Sequence, residues 1–535
     1  MKKLTKWPYI LDSERTPLVD QLLEILNERD EYIGELETEI KRLNRLSIKP
    51  TFNKNKKPHE KKPLEPGEKR PGSAKEQKTQ SLQIHHTHIL KVEEKPANAV
   101  FKGYRTYTVQ EIAINVVNHL YKCERWQKED GSYIQARLPE AIAGHHFGPM
   151  LRAYILHQYY HQGVTQGLLQ QQLKEWAIKI SKGQLNRLLI ENKAPFHDDK
   201  KAIYDAGMFV SSYLQVDDTG ARHQGKNGYC TYIGNEYFAY FQSTLSKSRV
   251  NFLACLQGLA EPAYLLDNDA LLYLLKQNAS SEVRYLIREL CRTCPEYFFK
   301  EEHFLKKLNR LGIKRTIDIK LCKEAALYSH LLKTSFYKKK SIISDEAGQF
   351  CLPDILHGLC WLHAERKLKQ VLAVTPNQEA LINQKREAFW YLYNKINEYK
   401  LNPDDKDKKI LRKMFNELCE PVENYEMLNE ALSRIRRWQD KLLLVLDHPD
   451  LPIHNNTSER DIRDYVRRRK ISGGTRSDIG RQARDTFTSI KKTCQKVNVS
   501  FWSYLLDKIN RTKNVKKISD YVIKKRALEN VNQFF

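Results

Sequence analysis

No stretch of the 535-residue chain is apolar for long enough to cross a membrane. The opening MKKLTKWPYI begins like a secretory leader, but Asp12, Glu14 and Arg15 interrupt it before an apolar core forms. A dense cysteine framework is also missing: ten cysteines lie scattered from Cys123 to Cys494. That excludes a disulfide-stapled scaffold and points to reduced thiols in a cytoplasmic protein. Acids are in short supply, with 65 Asp and Glu against 90 Lys and Arg, giving a net charge of +25. So large a basic excess calls for a polyanionic partner. A membrane surface is the competing polyanion, but the chain has no basic amphipathic anchor. The length suffices for two to four domains.

The basic residues are densest in Leu451 to Arg476, LPIHNNTSERDIRDYVRRRKISGGTR. Asn455 and Asn456 suit the turn before a helix, and Thr457 or Ser458 suits its cap. Glu459 stands at the head of a run containing Arg460, Arg463, Arg467, Arg468, Arg469, Lys470 and Arg476. A carboxylate there either neutralises a solvated basic helix or holds a metal ion whose other neighbours are phosphates.

Two upstream stretches favour the second reading. In YLQVDDTGARH, Tyr213, Leu214 and Val216 lead into Asp217 and Asp218; in SIISDEAGQF, Ile342 and Ile343 lead into Asp345. An acid at the end of a buried strand is costly unless it is paired or binds a cation. Each aspartate alone is explained by turn preference. Two acids on strand ends followed by one on a helix match what two-metal phosphoryl transfer requires, with hard cations about 3.5–4 Å apart on oxygen ligands.

VDDTG, SDEAG, GLCWLHAERK, HNNTSERDIR and RRRKISGGTR together resemble the DDE transposases of insertion-sequence family 66, over roughly Gly144 to Leu506. The resemblance implies an α/β RNase H-like catalytic domain, a mixed sheet with helices, carrying helical insertions. It implies Asp217, Asp345 and Glu459 as catalytic, metal-holding acids, with Asp217 rather than Asp218 as the first. Cys360 and His363 match a C-x-x-H pattern that would buttress the site. The cysteine-rich zinc module that many relatives carry near the linker is missing here.

The expected organisation is a coiled-coil helix over 1–47, a basic disordered linker over 48–84, and a small β-rich module over 85–140. A helix-turn-helix DNA-binding region follows over 141–200, then the catalytic domain over 201–494 and a C-terminal helical segment over 495–535. Helical insertions are expected at about 260–340 and 367–448. Val19, Leu22, Leu26, Ile33, Leu36, Ile40 and Leu43 alternate as a and d positions of a parallel coil. Lys49 to Lys78 is too rich in Lys, Pro, Glu and Gly to bury a core. Thr165 to Ala177 and Ser181 to Asn192 read as paired helices, the second exposing Lys182, Gln184, Asn186 and Arg187 to base edges or phosphates. TYTVQEIAINVV and GSYIQARL read as strands of the small module, and YCTYIG and FAYFQST as antiparallel strands after the Asp217 strand, with turns at Gly225-Lys226-Asn227-Gly228 and Gly234-Asn235. GLCWLHAERK reads as a strand and turn, and a basic tail is expected at the C-terminus. Cys291, Cys294, Cys360 and His363 spell a possible zinc set, though two separate structural motifs is the stronger reading.

Two Mg²⁺ ions, with Mn²⁺ as a substitute, are the expected cofactors. Arg460, Arg463, Arg469, Lys470 and Arg476 would meet phosphates, bidentately where they are arginines, and Gly473-Gly474 would let backbone amides approach. The expected partners are double-stranded DNA, at element ends and target, a second copy or more of the chain on DNA, and helper proteins of the same element. The expected location is the bacterial cytoplasm, on the nucleoid. Competing readings are a nuclease that cuts without joining, and a transposase-derived regulator that binds DNA without catalysis.

Overall fold

The computed structural model describes residues 16–19, 21–22, 24–26, 29, 82–93, 98–293, 296–298, 300–333 and 340–532. The chain divides into two units, Met1–Val117 and Asn118–Phe535. In the first, positions 17–19, 21–22, 24–26 and 29 are helical, with Leu18, Leu22 and Ile25 exposed. Most of the expected coil from Val19 to Leu46, and the linker up to residue 81, lie outside the described residues. Residues 82–93 and 98–117 carry neither helix nor strand.

The expected β-rich module reduces, among the described residues, to a hairpin of β1 (Arg125–Gln127) and β2 (Tyr133–Gln135) in the second unit. TYTVQEIAINVV, read as a strand, has none. Its apolar residues Val109, Ile112, Ile114 and Val117 are exposed, so nothing there holds a ladder together.

The core of the second unit is a five-stranded mixed sheet in the order β5-β4-β3-β8-β9. β3 (Tyr213–Gly220), β4 (Tyr229–Gly234) and β5 (Ala239–Thr244) form an antiparallel meander. β8 (Ser341–Ser344) adds to β3 in parallel, and β9 (His357–Leu359) adds to β8 in parallel. The period-two alternation of strands sends neighbouring residues to opposite layers. Cys230, Tyr232, Ala239 and Phe241 pack under Ile462 and Tyr465 of the Asn456–Ser472 helix. Ile233 and Tyr240 join the main core, with Tyr204 and Met208 of the Ala194–Val210 helix and Phe487 of the Asp478–Lys496 helix.

Between β5 and β8 runs the first insertion: helices Asn268–Lys276, Ser281–Thr293, Glu301–Arg310 and Thr316–Lys333, with a small hairpin of β6 (Tyr264–Leu266) and β7 (Glu296–Phe298). The second insertion packs helices Pro376–Leu401, Asp405–Leu418 and Glu426–Arg437 around its own core. That core is anchored by Trp361, which is fully buried against Phe389 and Phe415 and donates its indole N–H to the Leu442 carbonyl.

One expectation about elements is corrected. Only the first residues of the GLCWLHAERK block belong to a strand. After Leu359 the chain turns into the Trp361–Lys369 helix, because Trp361, Ala364 and Leu368 recur at helical spacing and are all buried. The C-terminal segment over 495–535 is helical, with Phe501–Asn510 and Ile518–Asn532, and Val522 of the second helix is buried in the main core.

Candidate active site

β3 carries Asp217 and Asp218 on opposite faces of the sheet. In the antiparallel register Asp217 stands opposite Tyr232, which lies under the Asn456–Ser472 helix, while Asp218 stands opposite Thr231. Thr231 Oγ1 donates to Asp218 at 2.6 Å and Gln349 Nε2 donates to it at 2.9 Å. Asp218 is thus engaged by neutral partners, and Asp217 faces the helix that bears Glu459.

The parallel pairing of β3 and β8 couples Gln215 with Ile343, and two residues further along each strand stand Asp217 and Asp345. Asp345 follows the last residue of β8 and accepts the Ala347 amide at 3.0 Å. Asp217 accepts the Asp218 amide at 2.7 Å. Burial, and then the nearby negative charge of Asp345, push the Asp217 carboxyl up to about 7, with Asp218 and Glu459 adding to the rise.

Glu459 lies in the first turn of the Asn456–Ser472 helix, and the preceding residues fasten that turn to the sheet. Asn455 is fully buried and donates its side-chain amide to the Val216 carbonyl at 3.0 Å, and its backbone N–H to Cys360 Sγ at 3.2 Å. Gln215 donates to the His454 carbonyl at 3.1 Å and accepts the Ser458 amide at 3.3 Å. Asn456 is exposed at the start of the helix. The Glu459 carboxylate itself is held by Arg366 Nη2 at 3.2 and 3.3 Å. It also has His363 Nδ1 at 3.8 Å and Arg463 Nη2 at 3.6 Å.

The three acids are near enough for the charges of Asp345 and Glu459 to act on Asp217, but among the described residues they do not close into one triad of adjacent ligand atoms. Among the described residues, the group of ligand atoms all within 4.8 Å of one another is Cys360, His363 and Glu459. Arg366, on the Trp361–Lys369 helix, is the base hydrogen-bonded to Glu459. Beside Asp345 a cavity of ≈ 210 Å³ is bounded by Cys360, His363, Arg366, Lys367 and Trp438.

The model of the transposase IS66 family matches residues 342–483. A protein of Sinorhizobium fredii, the uncharacterized protein y4jO, is 38% identical over 307 residues, covering 57% of this chain and 94% of that protein. The chain belongs to the transposase IS66 family. The matched family segment contains Asp345, Cys360, His363 and Glu459; Asp217 lies upstream of it.

The basic run of this family member divides into two groups. Arg460, Arg463, Lys470 and Arg476 are exposed, as is Arg467, which pairs with Asp464 at 2.7 Å. Arg469 instead donates to the Gly220 carbonyl and clamps the end of β3, and Arg468 lies over the Tyr159 ring at 3.8 Å. The two acids inside the run face inward as braces. Asp461 accepts Tyr232 Oη at 3.0 Å and Lys496 Nζ at 2.8 Å, while Asp464 pairs with Lys491. Gly474 lies against the backbone of Arg222, where an added Cβ would stand 2.4 Å from the carbonyl oxygen. Close packing is sufficient reason for that glycine.

Two helices, Gln166–Glu175 and Lys182–Ile190, occupy the expected helical pair, capped by Thr165 and Ser181. Gln184 is spent on its own helix, accepting the Ser181 amide at 3.0 Å in a capping box, and Asn186 accepts from Gln166 at 3.2 Å. Lys182 and Arg187 are exposed. Arg187 borders a cavity of ≈ 560 Å³ that Arg152, Lys193, Lys508 and Arg511 also line, a basic recess on this side of the molecule. Cys291 lies in the last turn of the Ser281–Thr293 helix and Cys294 lies outside the described residues; among the described residues Glu459 is the ligand-type side chain grouped with Cys360 and His363. The nine described cysteines are unpaired, and no helix among the described residues is long and apolar enough to cross a membrane.

Reasoning from sequence missed Gln215, Arg366, Thr231 and Gln349. Gln215 had a signal, a long polar side chain between two buried apolar ones on a central strand. Arg366 had none, since it reads as one more base of a basic chain.

Proposed function

We propose that the chain is a DDE transposase that binds the ends of a mobile DNA element, cuts them and joins them to target DNA, using Asp217, Asp345 and Glu459 on an RNase H-like sheet. What carries the reading is the register that sets Asp217 level with Asp345 on neighbouring strands, with the Glu459 helix pinned to the same strand through Asn455 and Gln215.

The donor set suits hard divalent cations, Mg²⁺ or Mn²⁺. It is all carboxylate, and among the described residues neither Asp217 nor Asp345 has a basic ion-pair partner, so their charge is uncompensated. Such ions, when bound, would activate the attacking water or 3′-OH and stabilise the leaving 3′ oxygen. Asp217 has to shed its proton to serve as a ligand, and Glu459 has to leave Arg366. Once released, Arg366 is a bidentate donor beside the reacting phosphate. The exposed Arg460, Arg463, Lys470 and Arg476 extend a basic track from the site along which a DNA backbone is held. Lys182 and Arg187 offer a second grip on the element end. Two ends must be held together, so the active form is at least a dimer on DNA.

The test is cleavage of a plasmid bearing the element's ends. Asp345→Asn should bind those ends as the wild type does and fail to cut them with Mg²⁺. Normal cutting by the variant would remove Asp345 from the site and the transposition mechanism with it.

A further inference from the structure

Cys360, His363 and Glu459 bring a sulfur, an imidazole nitrogen and a carboxylate oxygen within 4.8 Å of one another. We propose that these three side chains form a binding site for a thiophilic divalent cation of the Zn²⁺ class, separate from the carboxylate site for Mg²⁺. The two sites share only Glu459.

The donors fit that chemistry. Borderline-soft Zn²⁺ takes thiolate, imidazole and carboxylate together, whereas Mg²⁺ avoids sulfur. Three protein ligands leave one position of a tetrahedron open to solvent or substrate. The fold has preset the ligands. Cys360 is the residue just before the Trp361–Lys369 helix, and His363 lies in the first turn of that helix. Glu459 approaches from the Asn456–Ser472 helix, whose start is anchored by the Asn455 amide on the same sulfur. Cys360 is 1% exposed; burial raises its thiol pKa, and the amides of Asn455, His363 and Leu362 only partly offset that rise. A thiolate at this position would be met by N–H donors.

His363 has one ring nitrogen committed and one not. Arg366 Nη1 lies 3.0 Å from Nε2, and a guanidinium only donates, so Nε2 is the acceptor and the ring proton is on Nδ1. Nδ1 is buried without a hydrogen-bond partner and lies 3.8 Å from a Glu459 carboxylate oxygen. A cation on Nδ1 displaces that proton to Nε2, and Arg366 then has to let go. The side chain of Arg366 is 46% exposed and has solvent to move into. Arg366 and the ion are thus alternative occupants of one negative site, one bonded to the outer edge and the other seated within.

Binding is read without DNA, so it stands or falls apart from the transposition reading. The full-length chain, freed of metal by dialysis against chelator, is titrated with Zn²⁺ in a calorimeter and with Co²⁺ in a spectrophotometer. Cys291→Ser/Cys294→Ser is the background, which removes the other closely spaced thiols. One ion per chain should bind, and Co²⁺ should give a thiolate-to-metal charge-transfer band. Cys360→Ser and His363→Gln should each weaken Zn²⁺ by at least the ~10–100-fold that loss of even an outer partner costs. Arg366→Gln should tighten binding several-fold, and Asp217→Asn should leave it unchanged. A Co²⁺ complex without the thiolate band overturns the proposal, and that result does not depend on any Cys360 variant folding. Equal loss of Zn²⁺ in Asp217→Asn also overturns it, by placing the ion among the acids.

Discussion

The side-chain amide of Asn455 reaches the carbonyl of Val216 at 3.0 Å, tying the helix that bears Glu459 to the strand that bears Asp217, one residue before the acid itself. Asn455→Ala leaves that carbonyl and the turn unsupported in a fully buried position. The expected loss of stability is about 1–3 kcal/mol, with kcat falling more than affinity for DNA. Thermal melts and single-turnover cleavage check it. Unchanged kcat at a lowered melting temperature would leave Asn455 with a purely structural role.

Asp217 makes stability depend on pH in a known direction. Its carboxyl titrates at about 7 in the folded chain and near 3.8 once unfolded. Between those values the folded state holds the extra proton, so its contribution is full below pH 4 and is lost as pH rises through 7. At about 1.4 kcal/mol per unit, the loss is on the order of 4 kcal/mol at most. In chelator, Asp217→Asn should therefore melt higher than wild type at pH 8 and no higher at pH 4. Mg²⁺ should raise the wild-type melting temperature at pH 8 more than it raises the variant's. Parallel pH profiles for the two proteins would refute the buried-charge account.

Arg366 stands on Glu459 where a cation would otherwise draw it. Removing a half-exposed ion pair changes binding by up to about 1 kcal/mol. Arg366→Gln should accordingly lower the Mg²⁺ concentration for half-maximal cleavage by up to about fivefold. A Mg²⁺ titration of cleavage rate measures this. A raised requirement would mean that Arg366 helps to recruit the ion.

The arginines of one helix should separate by experiment. Arg463→Ala and Lys470→Ala, both exposed, should each reduce the salt dependence of DNA binding by about one unit of log–log slope. Arg469→Ala should leave the slope alone and lower thermal stability, because its guanidinium clamps Gly220. A slope change for Arg469→Ala would put that side chain back on the DNA.

The places of Asp345 and Glu459 were legible in the sequence, one closing an apolar strand and the other in the first turn of a helix, although turn preference accounts for the aspartate alone and only the set of three acids suggests a cation. β3, β4 and β5 were legible from alternation and from the turn residues Gly228 and Gly234-Asn235. The Trp361–Lys369 helix was not, because the short apolar run before it reads as a strand and the helical spacing of Trp361, Ala364 and Leu368 shows only over a longer window. The roles of Gln184, Asn186 and Arg469 were also hidden. A polar side chain on a helix looks the same in sequence whether it faces solvent, caps its own first turn or reaches a carbonyl on a distant strand. Partners such as Arg366 with Glu459 depend on three-dimensional placement that no local pattern encodes.

The order of strands across the sheet has a consequence for the chain as it is made. β3 gains β4 on one edge within a few residues of synthesis, but its other edge is completed by β8, which follows the whole first insertion. Until then the nascent protein presents a row of unpaired amides and carbonyls flanked by Leu214 and Val216, a template for pairing with another chain. At about 5–20 residues per second that interval lasts several seconds or more. The helices of the first insertion are emerging throughout it, and Tyr264, Phe304 and Leu327 belong to the same core as Leu214 and Val216. An insertion that looks like an interruption of the sheet thus supplies the apolar surface against which the waiting strand can be shielded during translation.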